Sequence, residues 1–323
     1  RGCQGVQAPH INTAEEARLL GFANYAEVSL APKMAGTPAE VLHFLRDLAQ
    51  RARPSAEKDL ADLRAFAASE LGLAELQAWD LAYAGEKLKE ARYAFSDQEV
   101  KQYFTEPTVL KGLFGLIEKL FDVVIRPDSA PVWHESVRFF RIERRGELVG
   151  QFYLDPGARN GKRGGAWMNG FISHIPTDGD SMPHVGLMAG NFTPPQDGKP
   201  SLLTHDEVTT LFHEFGHLMH LLCQDVSIRS LGMDGVAWDF IELPSQILEN
   251  WTWERESLDL FARHYETGAP IPEDVFKKMT AAKNFRSACA TMRQVAFAKM
   301  DLLLHTRTAE FVAAADVEPP ARA

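Results

Sequence analysis

Cysteine is nearly missing from this 323-residue chain: Cys3, Cys223 and Cys289 stand far apart, with no CxxC pair. Three scattered thiols build neither a disulfide framework nor a thiolate metal knuckle, and they suit a reducing compartment. Long apolar runs are missing too, since none approaches the roughly 18–20 residues that span a bilayer. No basic start followed by an apolar stretch opens the chain, so no secretory leader is read and a cytoplasmic location is expected. The chain begins with Arg1 rather than Met. Positive charge is in short supply: 34 Lys and Arg face 44 Asp and Glu, a net −10, which argues against a general binder of nucleic-acid backbone but leaves room for one local basic patch. No repeat of fixed length emerges, so a helical solenoid is excluded as well.

What remains is a globular composition, 45% apolar and 24% charged, in a chain long enough to bury a substantial core. Residues 1–126 read as helix after helix. Thr37-Pro38-Ala39-Glu40 predicts a capping box and a helix to about Arg53, with a second helix from Ser55. Ala74 to Ala94 continues the helical periodicity, Ser96 to Glu99 reads as another box with Phe95 and Val100 as its staple, and a helix is expected over Thr108 to Asp122. From Pro127 the texture changes. Val137–Ile142 and Leu148–Leu154 flank Arg144-Arg145-Gly146-Glu147 as a β-hairpin, and further strands are expected at 166–172 and 184–192. The expected fold is therefore mainly α with a small β-sheet. Its parts are a helical region (1–126), a sheet region (127–203), a second helical region (204–305) and a frayed tail (306–323).

The second helical region carries the chemistry. Thr204 and Glu207 form a capping box with Leu203 and Val208 as its staple, so a helix starts there. At 100° per residue, Val208, Leu211, Phe212, Phe215, Leu218, Met219 and Leu222 fall on one stripe. His213, His217 and His220 fall opposite its centre. His213 and His217, one turn apart, can bind one zinc through two nitrogens, and Glu214 can act as general base on the metal-bound water. The longer pattern HExxHxxGxxH fails, with His220 at the glycine and Cys223 at the third histidine. Three ligands from one straight helix rarely surround one ion, so His220 reads as a residue that supports a ligand or lines the cleft wall. Glu242, Gln246 and Glu249 form one polar stripe further on, and Glu242 is the better third ligand, completing a His₂Glu site. Glu249 then either accepts a ring N–H from a ligating histidine or faces solvent.

These residues resemble the thimet oligopeptidase family of zinc metallopeptidases, the oligopeptidase A branch above all. The likeness rests on Leu202 to His217, on Val236 to Gln246 and on Glu249-Asn250-Trp251. It extends to Phe152-Tyr153-Leu154-Asp155, Arg159, Lys162 and Gly164-Gly165-Ala166-Trp167, to Leu19 through Tyr25, and to Arg293-Gln294 through His305. The resemblance implies an α-rich channel fold forming one peptidase domain, with a small sheet beside the zinc helix. It implies one Zn²⁺ per chain on His213, His217 and Glu242, with Glu214 as the base. The implied activity is hydrolysis of short peptides, with a dipeptidyl carboxypeptidase or a catalytically silent zinc-binding fragment as alternatives. An edge strand is expected to pair with the substrate backbone. Short peptides are the expected partners, with neither nucleic acid nor membrane, and a monomer is the default. The family's N-terminal part and its Gly- and Tyr-rich C-terminal segment have no counterpart among the six tyrosines present, so the chain reads as an internal fragment or a shortened relative.

Two weaker signals complete the reading. Gly157 to Lys162 superficially resembles a P-loop, but its glycine spacing is one residue short and Arg163 replaces the Ser or Thr that would hold magnesium. Arg138, Arg141, Arg144, Arg145, Arg159, Lys162 and Arg163 read as a solvated hairpin edge, or as an attractor of peptide carboxylates if a cleft lies nearby. Trp238 and Trp251 read as core.

Overall fold

The computed structural model describes residues 13–94, 96–173, 183–196, 198–308 and 310. Cys3, the Phe95 half of the proposed staple and most of the tail lie outside them. Cys223 and Cys289 are both free thiols. Among the described residues no helix is long and apolar enough to cross a membrane. The chain divides into two compact units, one within Arg1–Lys89, Ala237–Asp239 and Asn284–Ala323, the other within Glu90–Val236 and Phe240–Lys283.

The first unit is helical. It contains α1 (Tyr25–Leu30), α2 (Pro38–Glu70), most of α3 (Asp80–Tyr93) and α10 (Ser287–Thr306). Thr37 caps α2 by accepting from Glu40 N–H at 3.1 Å, while the Glu40 carboxylate accepts from Gly36 N–H rather than from Thr37. The sequence predicts a break near Arg53, yet α2 runs through Pro54 as one helix of 33 residues. A proline inside a helix frees the carbonyl four residues back. Here Pro54 and Gln50 are both exposed, so water satisfies that group, and packing of α2 against α10 holds the two halves in line. Leu63 and Ala67 of α2 meet Ala84 and Leu88 of α3 in a small core. Asp239 accepts from Met34 and Ala35 N–H at 3.0 Å, fixing the turn that leads into α2. Trp238 is 76% exposed, against the expectation of a core residue; in its segment it is the neighbouring Asp239 that makes the hydrogen bonds, to Met34 and Ala35.

The second unit holds the sheet and the larger core. It runs α4 (Asp97–Val100), α5 (Glu106–Phe121), β1 (Val124–Pro127), β2 (Arg138–Arg144), β3 (Glu147–Gly157), β4 (Trp167–Ile172), β5 (His184–Phe192), α6 (His205–Leu222), α7 (Leu243–Glu249), α8 (Arg255–Phe261) and α9 (Glu273–Ala282). The strand order is β1-β2-β3-β5-β4, with β3 and β5 parallel and the other pairs antiparallel. The β2–β3 hairpin turns through Arg145 and Gly146, both at positive φ, as a two-residue turn matching strand twist requires. The strand β1 was not expected, since four residues give too little alternation to read. α5 ends where Asp122 takes the left-handed conformation at φ 52°.

The inner face of the sheet is shaped to seat α6. A Cβ on Gly150 would come within 2.9 Å of Leu222, and one on Gly186 would run into Leu218. With no side chains there, α6 lies flush on β3, β4 and β5. The predicted apolar stripe of α6, from Val208 to Leu222, is buried throughout, together with Leu221. Phe215 meets Phe114 and Phe152, ring centroids 5.7 and 5.6 Å apart, which locks the helix axis against the sheet.

Candidate metal centre

The start of α6 is fixed by a complete capping box. Glu207 N–H donates to Thr204 Oγ1 at 3.2 Å, and Thr204 N–H donates to the Glu207 carboxylate at 2.7 Å. With the stripe buried, His213 and His217 emerge on the opposite side, rings 4.9 Å apart and nearly perpendicular. α7 crosses α6 at Gly216. A Cβ there would lie 2.5 Å from Ser245 Cα and 2.7 Å from Pro244 O, so only glycine permits this approach. The crossing brings in Glu242, the residue just before α7. Its Oε2 lies 3.2 Å from His213 Nε2 and 3.1 Å from His217 Nε2.

These three side chains form the one group among the described residues whose donor atoms converge as metal ligands would, all within 4.8 Å of one another. Two features fit a cation at their centre. Glu249 Oε1 lies 2.7 Å from His213 Nδ1, which places the ring proton of a neutral His213 on Nδ1. Its Nε2 lone pair then faces the Glu242 carboxylate oxygen, acceptor against acceptor, an arrangement that a shared cation resolves. Secondly, atoms held at 2.0–2.1 Å around a tetrahedral centre lie about 3.3 Å apart, close to the two N···O distances observed. The donor set, two imidazoles and one carboxylate, suits zinc and leaves a fourth position free. His217 Nδ1 is buried without a hydrogen-bond partner. Burial pushes the His217 ring toward its neutral form, against the pull of Glu242.

Glu214 points from the same turn of α6 and is buried. Burial raises its pKa, His213 opposes that, the Glu242 charge adds to it, and the Met168 N–H lowers it by donating to the carboxylate. That N–H comes from β4, an edge strand of the sheet. Sequence reasoning missed Met168, because a backbone donor carries no side-chain signature. His220 stands apart from the converging group. It lines an apolar cavity of about 580 Å³ with Leu120, Phe121, Cys223 and Trp251. Burial lowers its pKa and also raises that of Cys223. Gln246 is exposed.

The basic cluster divides: Arg145 is exposed at the hairpin turn, as a solvated edge predicts, whereas Arg159 and Lys162 are spent on a buried carboxylate. Asp155 is buried and accepts from both Arg159 Nη atoms at 2.5 and 2.7 Å, from Lys162 at 2.9 Å and from Trp133 at 3.0 Å. Burial alone would raise the Asp155 pKa, but these donors hold it at about 2. Lys162 also binds the Asp155 and Gly157 carbonyls, so the P-loop-like segment is an intramolecular clamp around a buried carboxylate. Arg138 pairs with Glu106, Arg141 with Glu143, and Arg144 donates to the Phe121 carbonyl. The Asp155, Arg159 and Lys162 spacing of four and seven residues was the available sequence signal for this clamp.

The sequence profile described as "Peptidase family M3" matches residues 7–317. Oligopeptidase A of Salmonella typhimurium is 48% identical over 295 residues, covering 90% of this chain and 43% of that protein. Oligopeptidase A of Escherichia coli is similar to the same degree and over the same shares. The dipeptidyl carboxypeptidase of Escherichia coli is 34% identical, again over 90% of this chain and 43% of the relative. The chain thus spans less than half the length of these relatives. A profile match across nearly the whole sequence, on the helices that gather two histidines and a glutamate, shows that this chain belongs to peptidase family M3.

Proposed function

We propose that the chain carries the catalytic centre of a zinc-dependent oligopeptidase, acting on short peptides in the manner that the names of its oligopeptidase A relatives describe. The observation that carries the reading is the convergence of His213, His217 and Glu242 beside the buried Glu214. His213 and His217 supply nitrogen ligands and Glu242 an oxygen ligand for one Zn²⁺. When bound, zinc supplies Lewis acidity, which polarises a peptide carbonyl and makes a water more acidic. Glu214 takes the proton from the attacking water and passes it to the departing amine. Its raised pKa suits it to hold that proton in between. Glu249 keeps the His213 proton on Nδ1 and so leaves Nε2 free to ligate. β4 is the edge strand next to Glu214, and a substrate backbone pairing with it would run past the base. The helical, sheet and zinc-helix regions are parts of one peptidase domain in this reading, and the cytoplasm is its place of action.

The test is cleavage of an internally quenched peptide of about ten residues, a length suited to a narrow cleft. The zinc-loaded chain is compared with a chelated sample and with Glu214→Gln. Cleavage that both controls abolish supports the proposal. Cleavage that survives either control, or no cleavage from a zinc-loaded chain, overturns the claim that this chain is itself a peptidase. Release of C-terminal dipeptides alone would assign it to the dipeptidyl carboxypeptidase type instead.

A further inference from the structure

Glu242 is the weakest-held of the three converging side chains. It lies outside the helix that follows, and its side chain is 52% exposed, against 25% for His213 and 12% for His217. A glutamate with three free torsions in solvent loses side-chain entropy when it is fixed on an ion. Something must hold it in place. Besides the imidazole nitrogens that face it, the carboxylate has one hydroxyl donor among the described residues, Ser245, 3.0 Å from Oε2. That is the same oxygen atom that faces both histidines.

We infer that Ser245 is a positioning residue for the metal centre, its hydroxyl aiming the Glu242 carboxylate at the point where the imidazoles converge. The inference rests on the zinc-site reading above and deepens it. Ser245 is fully buried at the α6–α7 crossing, with its backbone packed where a Gly216 Cβ would be. Its hydroxyl therefore moves with the helix that bears the histidines. The alternative acceptor is the Glu242 carbonyl at 2.8 Å, but that group already receives the Gln246 N–H at 2.9 Å. A hydrogen bond to an ionised carboxylate is the stronger of the two, so the proton is best used on Oε2. The hydroxyl thus ties the first turn of α7 to the ligand carboxylate, while the Ser245 backbone packs against Gly216 of the helix carrying the other two ligands.

The test is a double-mutant cycle in zinc affinity, measured by competition with a chromogenic chelator on the full chain. Variants are Ser245→Ala, Glu242→Ala and both together. Ser245→Ala removes one oxygen and leaves the Cβ that packs at the crossing. The expected result is zinc binding at least about 10-fold weaker for Ser245→Ala, as for other groups that orient a ligand. That loss should vanish in the Glu242→Ala background, where there is no carboxylate left to aim. The visible spectrum of the cobalt-substituted protein should also shift in Ser245→Ala, because the ligand oxygen is less well directed, while the apoprotein melts as wild type does. Equal zinc affinity for Ser245→Ala and wild type would overturn the inference, as would an equal loss with and without Glu242. Failure of the wild-type chain to bind zinc would instead overturn the metal-centre reading itself.

Discussion

At the scale of single residues, the candidate site is a problem in where protons and lone pairs sit. Glu249 accepts a hydrogen bond from Nδ1–H of a neutral His213, so Nε2 of that tautomer is an acceptor facing another acceptor. A cation relieves that opposition, and removing Glu249 should therefore weaken the site without dismantling it. Glu249→Ala is expected to lower zinc affinity by about 10–100-fold, read by the same chelator competition, and unchanged affinity would count against the role given to it. The Asp155 clamp makes a separate prediction. Its folded pKa is about 2, below the ordinary aspartate value of 3.8, so its contribution to stability is full above pH 4 and fades as pH falls towards 2. The shift corresponds to about 2 kcal/mol. In urea titrations, Asp155→Asn should be less stable than wild type at pH 6, with the gap narrowing steadily below pH 4. A gap that stays constant with pH would show that the charge is not what stabilises the clamp.

At the scale of elements, legibility followed periodicity. The stripe on α6 was readable because seven apolar residues recur at helical spacing, and the capping box marked its first turn. The hairpin was readable because apolar runs flank a turn signal, and β5 because a short apolar run ends at Pro194-Pro195. The break expected at Pro54 failed because propensity is local, whereas α2 also packs against α10. The polar stripe of Glu242, Gln246 and Glu249 suggested one helix face. In fact Glu242 precedes α7 and Gln246 is exposed, and the two glutamates are the ones that pair with the histidines. What spacing lacked was the partner surface: nothing in the sequence announced that Gly150 and Gly186 form a seat for α6. Gly186→Ala places a methyl group against Leu218 and should cost about 1–3 kcal/mol, measured by chemical denaturation. A neutral result would show that α6 can lift off the sheet without penalty. Gly216→Ala should act differently, forcing α7 away at Ser245 and lowering zinc affinity more than it lowers apoprotein stability.

At the scale of the molecule, the chain belongs to peptidase family M3 and spans 43% of the oligopeptidase A relatives. That share nonetheless contains every residue assigned here to metal binding and proton transfer. The central claim is that these residues make one metal centre. It is tested most directly by equilibrium dialysis of the apoprotein against zinc, with the His217→Ala variant alongside. The account predicts about one zinc per chain for wild type and far weaker binding for the variant, with ligand stabilisation raising the wild-type melting temperature as zinc is added. No stoichiometric zinc on the wild-type chain, or equal binding by His217→Ala, would contradict it.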